Sequence, residues 1–599
     1  MNISLNPPSS EALRGANISA AASIKKPVPA RNGTLSSPRA PPRPTTRTTA
    51  KATTRTTPST AVRQVFDAAH VIAVEAESAT IVESPLAPAA AGVLPADDTS
   101  FVGPVYRGAT LELKVKEATE LFGFNELRSR SISTRRPVPG NVISAACKAL
   151  KYRIEALPAT SVIICFHNEA WSTLMRTVWS VIDRTPPSLL AEVILVDDGS
   201  TYSWLQDSLR SEVMSNWGTR VRLMRLPQRR GILHARLAGA HASRGTVLTF
   251  LDSHCEVNVR WYEPLAHALF EHENAIIIPA VEAIDPQTLE YSTSVASRPL
   301  LGSFSWRFDF VWKHGAAIKN VTDLPRSPVI PGGVFSMERT WFLKIGRYDE
   351  LMTGMSVENL DLSFRAWMCA GGVFMAPCSH MGHIYKPRQS FTDAVEADKN
   401  WLIDAARVAE VWLDEYKQYF YAARVTANEL ALGDLKSMLN VKKNLKCRSF
   451  KWYLINVAKD VFVPDKRRLQ HRGMLQGNKG RCLDKMGRNA GGEPGLYICH
   501  GKNANQYRMH SNINEIRTID GFCLDFAGRL GDSAVMQTCH SARGNQEWDY
   551  NEVKHLVHVP SQLCLELTSE EELGLMPCED APSQVWNWVP IKGQSRQPK

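Results

Sequence analysis

The 599-residue sequence has no long uninterrupted apolar run near its beginning. Its most apolar early stretch, Val65 to Leu94, is broken by Asp67, Glu75, Glu77, Glu83, Pro85 and Pro88, whereas a membrane span needs about 20 consecutive apolar residues. Neither a signal peptide nor a transmembrane helix is therefore expected from this chain. Aromatic residues are scarce over residues 1–140, where Ala, Pro, Ser and Thr dominate, as in Ala40-Pro41-Pro42-Arg43-Pro44-Thr45-Thr46. A segment of this kind buries too little apolar surface to offset its ordering entropy, so it is expected to be a disordered stem. Its Thr-Pro content suits either an acceptor of O-glycans or a plain spacer. Also missing is a basic face with interleaved aromatics. The net charge is +10, but many of the early basic residues are scattered among Thr and Pro, which argues against nucleic acid as a partner.

What is present is the composition of a soluble globular protein, 44% hydrophobic and 22% charged. A chain of this length predicts two or three folded units. From Thr160, apolar runs alternate with amphipathic stretches. Strands are expected at Thr160–Phe166, Glu192–Val196, Val221–Leu226 and Thr246–Leu251, with helices at Ser172–Asp183 and Gly231–Ser243. Such alternation implies a parallel sheet covered on both faces. Ligands of these sheets bind at the carboxyl ends of the strands, where Asp198 and Asp252 fall.

The last 120 or so residues repeat themselves. Cys482-Leu483-Asp484, Cys523-Leu524-Asp525 and Cys564-Leu565-Glu566 recur at intervals of 41 residues, followed by Cys499, Cys539 and Cys578. Each copy then reaches a Gln-containing corner at Gln506, Gln546 or Gln584. Three copies will not close a propeller but suit a threefold trefoil barrel. Six of the twelve cysteines lie in this framework, and such regularity points to disulfides in an oxidising compartment, against the absence of a leader.

The chemistry centres on Asp252-Ser253-His254, which follows an apolar strand. On an extended segment, side chains two apart share a face. A carboxylate with an imidazole suits manganese, the remaining positions being open to phosphate oxygens; a merely structural buried polar pair is the alternative. No nucleophile is paired with a second carboxylate in the manner of retaining glycosidases.

Taken together, Phe166-His167-Asn168-Glu169-Ala170, Ile194-Leu195-Val196-Asp197-Asp198, Leu251-Asp252-Ser253-His254-Cys255-Glu256, Glu358-Asn359-Leu360, Cys378-Ser379-His380-Met381-Gly382-His383, Ala409 to Tyr416 and Phe450 to Leu454 resemble the polypeptide N-acetylgalactosaminyltransferases. The resemblance covers roughly residues 145 to 595. It implies a GT-A α/β catalytic domain with a Rossmann-like sheet at 145–455 and an all-β ricin-type trefoil lectin domain at 466–595. The implied reaction transfers N-acetylgalactosamine from UDP-N-acetylgalactosamine to Ser or Thr of peptides or glycopeptides, with retention, initiating mucin-type O-glycosylation. GalNAc-bearing glycans would bind the lectin domain. The cofactor would be Mn2+, the setting the Golgi lumen, and any membrane association would require an anchor not seen in this chain.

By position, the resemblance implies that Asp252, His254 and His383 bind manganese, with His380 structural. His167, Asp198 and Arg229 would hold the uridine and ribose, with Cys165 packed against the base. Gly332 and Gly333 would admit the donor sugar, Glu358 and Asn359 would contact it, and Phe304 and Trp306 would line an acceptor groove unless they are simple core packing. Asp484, Tyr497, His500 and Asn505 would form the lectin sugar site in the first repeat, with a weaker site in the second and a structural third. The implied disulfides are Cys147–Cys378, Cys369–Cys447, Cys482–Cys499, Cys523–Cys539 and Cys564–Cys578, leaving Cys165 and Cys255 free. Where the family usually has Trp-Gly-Gly, this chain has Met355-Ser356-Val357, and Val is expected to resist the backbone turns that Gly permits. The stretch after His383 lacks the family's glycines, leaving Lys386 and Arg388 either as diphosphate contacts or as a solvated turn. A catalytically silent, glycopeptide-binding relative is thus the alternative function.

Overall fold

A computed structural model of the chain describes residues 80–82, 103, 104, 106, 110–292, 298–354, 356–369, 371–386, 394–501, 503–569 and 572–590, all within one compact unit. Its centre is a nine-stranded sheet. The strands, in chain order, are β1 (Thr80–Val82), β2 (Thr160–Phe166), β3 (Leu190–Asp197), β4 (Val221–Arg225), β5 (Val247–Asp252), β6 (Cys255–Val257), β7 (Ala275–Ile284), β8 (Leu300–Phe304), β9 (Phe310–His314), β10 (Phe335–Glu338) and β11 (Gly372–Ile384). Across the sheet the order is β1-β4-β3-β2-β5-β10-β7-β11-β6, while β8 and β9 form a separate hairpin.

The first half of this sheet follows from local patterning. In β2, Val162 and Ile164 pack into one apolar cluster while Ile163 and Cys165 pack into another on the opposite face, as period-two side chains demand of a strand covered on both sides. Helices α3 (Trp171–Arg184) and α4 (Ile232–Ala242) return the chain between parallel strands.

The four strands expected to be parallel, β2 to β5, are parallel, and the second half of the sheet is mixed. Strand β10 runs antiparallel to both β5 and β7, and β6 runs antiparallel to β11. A long excursion brings the chain back in the opposite direction, and the Phe250 and Phe335 rings, opposite one another in register, close the seam 5.0 Å apart. Two further helices matter below: α5 (Val357–Met368) and α6 (Ala394–Trp412).

The disordered stem is also corrected at its C-terminal end. Residues 111–130 form α1 (Leu111–Phe122) and α2 (Glu126–Arg130). Phe122 and Phe124 are buried with Ala170, Ile284, Tyr291 and Ile384, and Thr80–Val82 pairs with β4. A pair of phenylalanines spaced to dock on a preformed surface stabilises order that composition averaged over 140 residues conceals. Most of the stem before residue 110 lies outside the described residues. Among the described residues, no helix is long and apolar enough to cross a membrane.

The C-terminal repeats fold into an antiparallel assembly around Leu475, Leu483, Leu524, Trp548, Leu565 and Trp586. The three corner glutamines do one shared job. Gln506, Gln546 and Gln584 each donate to a backbone carbonyl (Ile498, Thr538, Pro577) and accept from the amide of His500, His540 or Glu579. All five expected disulfides form, and Cys165 and Cys255 are free and buried.

Candidate functional site

The carboxyl ends of β2, β3 and β5 bring His167, Asp198 and Asp252 to one edge of the sheet. His167 Nδ1 lies 2.8 Å from the Asp198 carbonyl oxygen. The Asp198 carboxylate accepts from the amides of Arg230 and Gly231 at 2.7 and 2.8 Å. Gly199 has φ +67°, and a Cβ there would meet the Arg229 nitrogen at 2.6 Å. Asp198 thus pins the turn that opens α4 and holds Arg229 at the rim.

From α4, Arg236 reaches Asp252 Oδ1 at 3.3 Å and Glu358 Oε1 at 3.2 Å. Gly333 lies flush against this pair: a Cβ would come within 2.1 Å of Arg236 Nη2 and 2.4 Å of Asp252 Oδ1. Its neighbour Gly332 has φ +87°. Only glycine admits this approach of backbone to charge. Burial pushes the Glu358 carboxyl up despite Arg236. Glu358 Oε2 and Asn359 Oδ1 are buried without a hydrogen-bond partner among the described residues, polar atoms that a bound ligand would satisfy.

The three expected metal ligands converge. His383 Nε2 is 3.3 Å from Asp252 Oδ2, and the His254 and His383 rings are 4.8 Å apart. Among the described residues they do not close into a cage already spaced for a metal. The donor set nevertheless fits a manganese ion, one carboxylate and two imidazoles. Burial and the nearby Lys386 lower the His254 pKa to about 4, so the ring is neutral, as a ligand must be. Burial alone would raise Asp252, but the hydrogen bond from His383 and the Arg236 charge outweigh it and hold the carboxyl well below the usual range.

Two participants escaped the sequence reading, Arg236 and Glu169. Glu169 is buried beside the three expected ligands, its Oε2 2.9 Å from His254 Nδ1 and 2.8 Å from Ser253 Oγ, while its Oε1 accepts from the Ala170 amide at the start of α3. A carboxylate on the second imidazole nitrogen fixes the ring's tautomer and orientation. Its position two residues after His167 was the available signal. Arg236 had none, because its partners are 16 and 122 residues away.

Lys386 is not a solvated turn. Its Nζ donates to both Glu169 oxygens at 2.9 and 2.8 Å. Phe304 and Trp306 require a similar correction: each is only 3% exposed. Phe304 sits edge-on against Phe364, and Trp306 lies against Tyr419 and donates to the Phe462 carbonyl. They are aromatic core, because the C-terminal segment folds over them. His380 pairs with Glu282 at 2.6 Å, away from the triad. Cys165 is buried beside Asp252 in the sheet register, with burial pushing its thiol up. Val357 does not carry the strain expected of it, being buried in the first turn of α5. The left-handed conformation falls on Ser356, at φ +81°. Met355 and Arg388 lie outside the described residues.

In the first C-terminal repeat, Asp484 Oδ1 accepts from the Met486 amide at 2.6 Å and Oδ2 lies 3.8 Å from His500 Nε2. Tyr497 is 52% exposed beside His500, and Asn505 follows on the adjoining turn. The second repeat differs: the Asn545 amide nitrogen lies 2.7 Å from both Asp525 oxygens, and Gln546 donates to one of them. In the third, Ser583 and Gln584 engage Glu566.

Comparison with known proteins fits this geometry. Residues 161–346 match the model for glycosyl transferase family 2, and residues 471–586 match that for the ricin-type beta-trefoil lectin domain. The chain is 42% identical over 480 residues to polypeptide N-acetylgalactosaminyltransferase 5 of Caenorhabditis elegans, covering 78% of this chain and 75% of that protein. It is 38% identical to polypeptide N-acetylgalactosaminyltransferase 13 of Homo sapiens, covering 79% and 85%. The crystal structure of GalNAc-T7 with UDP, GalNAc and Mn2+ superposes with a TM-score of 0.64 at 32% identity, covering 85% of this chain and 95% of that one.

Proposed function

Because the chain belongs to the polypeptide N-acetylgalactosaminyltransferase family, we propose that it transfers N-acetylgalactosamine from UDP-N-acetylgalactosamine to Ser or Thr of peptides and glycopeptides, with retention. The observation that carries this is the convergence of Asp252, His383, Arg236, Glu358 and Gly333 on one point at the carboxyl end of β5. Asp252, His254 and His383 would hold manganese, which supplies positive charge against the departing diphosphate.

The chain's own residues do the rest by position and charge. Asp198 holds the turn presenting Arg229 to the nucleotide, and His167 stands beside it. Gly332 leaves room for the donor sugar, while Gly333 lets the backbone pass flush against Arg236 and Asp252. Glu358 is tied to Arg236, which suits it to orient sugar hydroxyls with Asn359 rather than to attack the anomeric carbon. The acceptor hydroxyl then bonds to that carbon on the face the diphosphate leaves, its proton passing to a phosphate oxygen. Catalysis rests mainly on orientation and preorganised charge.

In the lectin domain, Asp484, Tyr497, His500 and Asn505 would bind GalNAc on a glycopeptide, Tyr497 packing on the apolar sugar face. The second and third repeats, with their carboxylates engaged internally, serve mainly structure. Five disulfides suit an oxidising compartment, and we place the protein in the Golgi lumen.

One observation favours a second reading. Lys386 is closed on Glu169, which fits a relative that binds glycopeptides without turnover. The test is incubation of the purified chain with UDP-N-acetylgalactosamine, Mn2+ and Thr-rich peptides and glycopeptides. Transfer supports the enzyme; glycopeptide binding without any transfer overturns it.

A further inference from the structure

Asp404 lies on α6, outside every role assigned above, and is only 1% exposed. Its Oδ2 accepts from two successive amides, Thr353 at 3.0 Å and Gly354 at 2.6 Å. Its Oδ1 is buried without a hydrogen-bond partner among the described residues. A buried carboxylate is costly, and one that spends an oxygen on two loop amides contributes position in return.

The contact is close-fitting. A Cβ on Gly354 would come within 2.9 Å of Asp404 Oδ2 and 3.0 Å of the Trp401 Cα. On the other side, the Thr353 carbonyl oxygen lies 3.6 Å from where a Cβ on Gly231 would stand, in the turn that Asp198 pins. Two residues beyond Gly354 comes Ser356 in its left-handed conformation, and then α5 begins with Val357, Glu358 and Asn359. Thr353 and Gly354 are therefore held between α6 and the nucleotide-side turn, immediately before the residues facing the donor sugar.

We propose that Asp404 is a positioning residue for the donor-sugar site: its ionised carboxylate ties down the Thr353–Gly354 backbone and so sets where α5 begins and where Glu358 and Asn359 stand. The proposal rests on the transferase reading. Two charged groups face Asp404. Arg407 lies on the same helix, with Nε and Nη2 on Asp349 Oδ2 at 3.0 and 2.6 Å, and Asp349 precedes the loop. The Thr353 and Gly354 amides complete its surroundings. Desolvation, with Asp349 adding and the two amides and Arg407 opposing, brings the Asp404 pKa up to about 7. The tie is thus strongest above neutrality and weakens as pH falls through that value. Stability runs the other way. The folded chain keeps a proton that the unfolded chain has released between about pH 4 and 7, so this contribution is lost as pH rises through the window.

The experiment compares wild type, Asp404→Asn and Asp404→Ala as the full chain with Mn2+, varying UDP-N-acetylgalactosamine and then peptide from about pH 5.5 to about 8.5. Wild-type donor KM is expected to fall as pH rises through 7. Asp404→Asn, which keeps an oxygen for the amides but cannot ionise, is expected to show a donor KM flat in pH. Asp404→Ala is expected to raise donor KM about tenfold at the upper end, with peptide KM unchanged in both. The same donor KM and pH profile in all three chains, or equal changes in donor and peptide KM, would overturn the proposal. If Asp404→Ala does not fold, the Asn variant decides the matter, its pH slope of melting temperature flattened between pH 4 and 7. A wild type that binds donor but transfers nothing refutes the enzyme; calorimetric binding of UDP-N-acetylgalactosamine then reads the same three-way comparison.

Discussion

Asp252 and Asp484 are both aspartates at the end of a short strand, yet their surroundings differ in kind. Around Asp252, groups arrive from several elements: Arg236 from a helix, His383 from a strand 131 residues on, and Gly333 from a loop. The neighbouring carboxylate, Glu169, is met by Lys386 from 217 residues away. Around Asp484 everything is local, with His500 beyond the disulfide that closes a 17-residue separation. The first site is dense in opposite charges drawn from several elements; the second keeps its aromatic ring in water. A site that must steady developing charge needs preorganised opposite charges, whereas one that grips a neutral sugar needs a few hydrogen bonds and an apolar face.

The sharpest way to break this comparison is to remove the central carboxylate. Asp252→Asn is expected to lower transfer at least about a thousandfold, roughly 4 kcal/mol, while glycopeptide binding by the lectin domain is unchanged; equal losses in both assays would refute the separation of the sites. Next comes Glu169→Gln, which keeps shape but weakens the support of His254. Manganese affinity, read by titrating metal against activity and by calorimetry, is expected to fall about 10- to 100-fold. On the lectin side, Asp484→Ala is expected to weaken glycopeptide binding by about 1.5–3 kcal/mol, tenfold or more, with kcat on unglycosylated peptide untouched. The smallest effect belongs to Ser356→Gly, which relieves a left-handed non-glycine residue and is expected to stabilise the fold by roughly 0.5–1 kcal/mol, read as a raised melting temperature. A lower melting temperature would show that the Ser356 side chain does something its backbone does not reveal.

The same contrast explains what was legible beforehand. Strands β2 to β5, the trefoil repeats and their three short disulfides were readable because apolar period and cysteine spacing are local properties, whereas Cys147–Cys378 and Cys369–Cys447, 231 and 78 residues apart, were implied only by the family resemblance. The reversal of β10, the docking of Phe122 and Phe124, and the burial of Phe304 and Trp306 were not, because each depends on a surface supplied by distant chain. Lys386 shows this most plainly. From its neighbours it is a basic residue in a turn; its partner is decided by where β11 ends relative to the start of α3.

The order of the two folded regions and the threefold cysteine repeat were therefore determined by the sequence itself, through recurring residue types at fixed spacing. Only the tertiary structure decided that Arg236 ties Asp252 to Glu358, that Glu169 stands behind His254, and that Asp404 holds the backbone before α5. Those groups carry no local signature. A buried charge is tolerable only where a partner or backbone amides meet it, and which partner that is depends on the folding of segments far apart in the chain.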